Sequence, residues 1–183
     1  MSVWGKLLAG TFGFALGGPI GALLGVIAGH SVDKIRKQTS GIDGNVQSPQ
    51  EVITVGIIIL AAKLSKADGQ VTTEEISAFK EKFKIPPNFQ SDVGKIFNEA
   101  KKSSEDYHQY AQQLGMIFRG QPQVLEQIIN LLFFIAEADG EISRPEILFI
   151  EGCAKYFGLN KNQYDSIQTI WLDKQINPYK ILG

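Results

Sequence analysis

Two short stretches carry the side chains best suited to chemistry. "ADGQVTTEEI", Ala67 to Ile76, is repeated as "ADGEISRPEI", Ala138 to Ile147. Each places an aspartate just before a glycine and a glutamate seven positions after that aspartate: Asp68 with Glu75, and Asp139 with Glu146. Hard divalent cations take several oxygen ligands, and two such turns converging from two halves of a fold would supply four carboxylates. The same residues also have a purely structural use. Gly69 and Gly140 suit the left-handed end of a helix. Thr72 with Glu75, and Ser143 with Glu146, fit the S/T-x-x-E pattern that starts the next helix. Capping alone accounts for most of the motif.

The spacing after each Asp-Gly matches only the second half of an EF-hand loop. The positions that should open the loops with an acid are Leu64 and Ile135, and the third positions are Lys66 and Glu137. An independent calcium loop is therefore excluded. His30 and His108 have no Cys or His at zinc spacing. Cys153, the one cysteine, reads as a small buried core residue. The chain has no phosphate-cradling Gly-Lys-Ser/Thr loop, no His-Glu-x-x-His, and no nucleophile paired with a base, so it does not read as an enzyme. A net charge of -1 gives no basic field for nucleic acid. No cofactor is required by any motif; a divalent cation at the acidic turns is the one candidate.

The elements that must position these turns are helices. "EVITVGIIILAAKLSKA", Glu51 to Ala67, and "LEQIINLLFFIAEA", Leu125 to Ala138, are apolar on most faces and predict central buried helices. The run Ile57-Ile58-Ile59 favours strand locally, but the length of the apolar stretch favours helix. A further helix is expected near 105–118, with breaks at Gly120 and Pro122. After the turns, Val93, Ile96 and Phe97 correspond to Ile167, Ile170 and Trp171. Each half thus reads as helix, turn, helix, short turn, helix. The class is all-α: a pseudo-symmetric bundle of about seven helices over 51–172.

Ahead of that domain, Leu7 to Gly29 contains no charged residue. As one helix it would span about 35 Å, against about 30 Å of bilayer hydrocarbon, and it predicts a single transmembrane helix. Lys34, Arg36 and Lys37 follow it, whereas Lys6 and the N-terminal amine precede it. The positive side stays inside, so residues 1–6 face out and the main domain is cytoplasmic. Gly13, Gly17, Gly21, Gly25 and Gly29 recur at every fourth position. On one helix they form a flat face suited to self-association in lipid. Pro19 would kink such a helix. Residues 30–50, a basic flank followed by a Gly-, Ser- and Asn-rich stretch, read as a flexible linker.

The order of "VWGKLLAG", an apolar Gly-rich span ending "GHSVDK", and an all-helical domain with paired "ADG" turns resembles the DjlA-type membrane-anchored, DnaJ-like co-chaperones. The resemblance covers nearly the whole chain. It implies a TerB-like middle domain, a metal site at Asp68, Glu75, Asp139 and Glu146, and the inner membrane of a Gram-negative bacterium. In that family a J domain follows, and it commonly opens with a stretch similar to "NPYKILG", Asn177 to Gly183. Pro178, Tyr179, Leu182 and Gly183 are the matching positions, and 173–183 reads as a linker with the start of a J domain. The His-Pro-Asp tripeptide that engages a DnaK-type chaperone is missing here: His30 precedes Ser31 and His108 precedes Gln109. A DnaK-type partner is expected only where a full-length form has that segment. The chain as given is expected to act as a membrane-tethered TerB-like binding and dimerisation module. The alternative is a stand-alone TerB-like protein that binds a cation in envelope or tellurite stress.

Overall fold

The computed structural model describes residues 17–29, 49–69, 71–85, 87 and 90–176. Eight α-helices run through them: α1 (Gly18–Gly29), α2 (Pro49–Ala67), α3 (Thr73–Phe83), α4 (Gln90–Ala100), α5 (Tyr107–Ile117), α6 (Pro122–Ala136), α7 (Arg144–Phe157) and α8 (Lys161–Ile176). One 3-10 turn, Glu137–Asp139, joins α6 to the loop before α7. No strand occurs among the described residues. The all-helical expectation holds, and α2 to α8 supply the seven helices.

The centre is α2. Val55, Ile58, Ile59, Leu60 and Leu64 are fully buried, because α2 packs against α4, α5, α6 and α7. That is why its β-branched run does not become a strand: a helix apolar all round is stable when neighbours cover every face. Around it, α5 crosses α7 at close range. A Cβ on Gly115 would stand 2.6 Å from the Tyr156 carbonyl oxygen, so only glycine permits this approach. The helix α6 begins with Pro122 in its first turn and ends two residues short of the expected Ala138, where the 3-10 turn takes over. At the far end α8 continues to Ile176, past the expected domain edge at 172.

The N-terminal segment departs from expectation. One continuous helix over 7–29 is not what the described residues show. Gly17 and Gly18 have φ of +60° and +61°, and the helix begins at Gly18. Pro19 therefore occupies a first turn, where its missing N–H costs nothing, rather than a mid-span kink. Gly17 precedes the helix and so is not on the expected glycine face. Within α1, Gly21 is buried and Gly25 half-buried, and Gly29 is the last helical residue; Gly13 lies outside the described residues. At 12 residues, α1 is about 18 Å long. No helix among the described residues is long and apolar enough to cross a membrane.

The described helix α1 packs on α4 and α5. Ile20, Leu23 and Leu24 are buried there. The Gln113 side chain on α5 reads the start of α1 with both ends of its amide. Its Nε2 donates to the Gly17 carbonyl (3.1 Å) and its Oε1 accepts from the Ile20 amide (2.9 Å). The second bond satisfies one of the four amides that every helix N-terminus leaves open.

Candidate functional site

The two acidic turns are built alike. Thr72 and Ser143 have extended backbones and cap α3 and α7. The Glu75 amide donates to Thr72 Oγ1 (3.2 Å), while Glu75 Oε2 accepts from the Thr72 amide (2.8 Å) and hydroxyl (3.1 Å). In the second turn the Glu146 amide donates to Ser143 Oγ (3.4 Å), and Glu146 Oε2 accepts from the Ser143 amide (2.8 Å) and hydroxyl (2.7 Å). Both are complete capping boxes, as the S/T-x-x-E spacing predicted.

The glutamates do more than surface capping residues do, because they are buried: Glu75 is 2% exposed and Glu146 3%. Packing of α3 on the 3-10 turn Glu137–Asp139 and on α6 brings the first turn's helix against the second turn. Glu146 consequently lies in the field of Glu75 and Asp68. Burial pushes the Glu146 carboxyl up to about 7; its two bonds to Ser143 oppose this, and repulsion from Glu75 and Asp68 adds to it. Glu75 is raised as well, chiefly by burial, against the bonds from Thr72. Glu75 Oε1 is buried without a hydrogen-bond partner. Ser65 sits beside this carboxyl and favours its charged form, although its own Oγ completes no hydrogen bond.

Of the four acids read as a cation site, Glu75, Glu146 and Asp68 share one electrostatic neighbourhood. Asp68 and Asp139 are exposed, and Asp139 Oδ1 accepts from the Glu141 amide (3.4 Å). Among the described residues no group of three or more His, Cys, Asp or Glu side chains is placed to hold a metal ion. The donor set as arranged does not form a cage, since each glutamate already commits one oxygen to its cap. Pro178, Tyr179, Leu182 and Gly183 lie outside the described residues.

One charged residue of consequence escaped the sequence reading. Lys63, in the apolar heart of α2, is 1% exposed. Its Nζ donates to the carbonyls of Ala100 (3.1 Å) and Ser103 (2.9 Å) and to Asp106 Oδ1 (2.5 Å). It also stands 4.7 Å from the Tyr110 ring centroid. This cation closes the end of α4, where helix carbonyls lack partners, and ties down the 101–106 turn. Its signal was visible as a lone charge within "IIILAAKL".

Two family models match the chain. Residues 54–169 match the family model of tellurite resistance protein TerB, and residues 1–48 match that of the co-chaperone DjlA transmembrane domain. Relatives named co-chaperone protein DjlA include one from Photobacterium profundum, 27% identical across 89% of this chain and 63% of its own length. Those from Yersinia pestis (25% identical; 90% of this chain, 61% of its own) and Escherichia coli (21%; 90% and 62%) align similarly. The chain thus spans a little over three-fifths of the length of these relatives. No solved structure matches it. With a TerB match over well more than half its length, behind a DjlA transmembrane domain, the chain belongs to the TerB family and is of the DjlA type.

Proposed function

We propose that this chain is the anchor and docking portion of a DjlA-type co-chaperone that serves a DnaK-type chaperone at the bacterial inner membrane. One observation supports this above the others: the DjlA transmembrane domain and the TerB domain match in that order within one chain. In this reading residues 1–6 face the periplasm and the helical domain faces the cytoplasm. The segment Asn177 to Gly183 opens a J domain, and the protein works by binding and placement rather than catalysis. Self-association runs through the glycines of the N-terminal segment, with Gly21, Gly25 and Gly29 as its helical part. The test is the reading frame beyond the Gly183 codon together with the intact mass of the native membrane protein. Continuation into a His-Pro-Asp hairpin, with stimulation of a DnaK-type ATPase that is lost on altering that tripeptide, supports the reading. A native product of about 20 kDa that leaves the ATPase unchanged sinks the co-chaperone role.

A second reading assigns the paired turns a divalent cation, with Asp68, Glu75, Asp139 and Glu146 as donors. What favours it is the unpartnered, buried Oε1 of Glu75. It requires the exposed Asp68 and Asp139 to turn inward. Calorimetric titration of the full chain with calcium, then magnesium, decides it: heat that disappears in Glu75→Gln supports the site, and no heat removes it.

A further inference from the structure

The cleft between α3 and α4 has no role in anything above. It encloses about 400 Å³, within the usual range for small-ligand sites. Its apolar walls come from Ile76, Phe79, Ile85, Val93 and Phe97, of which Phe79, Ile85 and Val93 are buried. Phe79 and Phe97 hold their rings 5.9 Å apart, tilted by 56°. Lys80 and Lys101 also line it, and neither makes an ion pair among the described residues. No acidic side chain is among its described lining residues. Apolar walls and two unpaired cations call for an anion with an apolar body.

Gly94 marks the same place. It sits inside α4, where glycine costs about 1 kcal/mol relative to alanine. A Cβ there would meet nothing within 4 Å. Close packing with a neighbour, the reason for Gly115, therefore does not explain it. What the missing side chain does is leave the cleft open, since Gly94 lines it.

We propose that this cleft binds a single-chain carboxylate amphiphile, a free fatty-acid anion. The acyl chain lies along Phe79, Val93 and Phe97 with its carboxylate toward Lys80 and Lys101. The volume suits one such chain rather than the paired chains of a phospholipid. A neutral apolar ligand would leave both lysines unanswered, and a cationic one would be repelled.

The probe is dodecanoate, added to the full chain in phosphatidylcholine nanodiscs. Binding is read from methyl resonances of Ile76 and Ile85, with Ile128, buried away from the cleft, as control. The expected result is a saturable shift at Ile76 and Ile85 with Ile128 unmoved. Dodecyltrimethylammonium, with the same tail and opposite charge, is expected to bind at least tenfold more weakly. Lys80→Gln with Lys101→Gln should weaken dodecanoate at least tenfold while leaving the tail contacts intact. Gly94→Leu, which fills open space, should abolish the shift with helix content unchanged. Absence of any shift at about 1 mM free dodecanoate overturns the proposal, as does equal affinity for the cationic amphiphile. Nanodiscs of phosphatidylglycerol that move the same methyls without dodecanoate overturn it too, because the occupant would then be membrane lipid. Should Gly94→Leu disturb folding, the lysine pair and the charge-reversed amphiphile decide alone.

Discussion

At the scale of single residues, the buried acids and the buried lysine set the chemistry. Glu146 is raised to about 7 from an ordinary 4.5, so the folded state holds its proton more tightly than the unfolded chain. The resulting stability is fully present below about pH 4.5 and is lost as pH rises through 7. Glu146→Gln retains the cap, since glutamine serves at that position, and removes the charge. It is expected to flatten the stability–pH curve between pH 5 and 8 and to exceed the parent by on the order of 1–2 kcal/mol at pH 8. Urea unfolding at several pH values measures this; parallel curves for the two proteins refute it. Lys63 behaves oppositely, because its partners depend on it. Lys63→Met leaves the Ala100 and Ser103 carbonyls and Asp106 without their donor and should cost roughly 2–4 kcal/mol. A loss below about half a kcal/mol would mean that water replaces the cation at those oxygens.

At the scale of elements, glycine has opposite meanings in two helices. Gly115→Ala drives a methyl into the α7 backbone and should destabilise by about 1–3 kcal/mol. Gly94→Ala meets open space and should stabilise by up to about 1 kcal/mol. Thermal melts of the pair give this contrast directly, and two shifts of the same sign would contradict the packing described. Sequence alone predicted the capping boxes because their residue types and spacing specify a local geometry. It also predicted the buried course of α2, since one element's apolarity shows which faces must be covered. The pairing of the halves was only partly legible. Val93 and Ile167 are both buried, but Ile96 is buried while its counterpart Ile170 is 58% exposed. The reason lies in the neighbours: α4 is covered by α2 and α1, whereas α8 packs chiefly on α6. No repeat pattern encodes that difference. Nor could spacing reveal the α3–α4 cleft, which depends on how two helices diverge.

At the scale of the molecule, the apolar N-terminal segment has two environments that can bury it. Sequence pointed to the bilayer, and the DjlA transmembrane match agrees. The fold provides another in the surface of α4 and α5, where Ile20, Leu23 and Leu24 are buried. Gln113→Ala removes both of the side-chain bonds to this segment and should loosen it by about 1–2 kcal/mol. The measurement is faster exchange of the Ile20 amide in lipid-free solution, with α2 amides unchanged. Equal protection in the variant would show that the contact is apolar alone. A span of 93 residues separates Ile20 from Gln113, and that separation is also an interval of time. A ribosome takes roughly 5–20 s to synthesise it. Throughout that interval Ile20 exists and Gln113 does not, so the lipid surface has the first claim on the nascent helix. Slowing elongation between codons 30 and 113 should therefore raise the carbonate-resistant fraction of the protein, whereas an unchanged fraction would mean that the order of synthesis does not decide between the two environments.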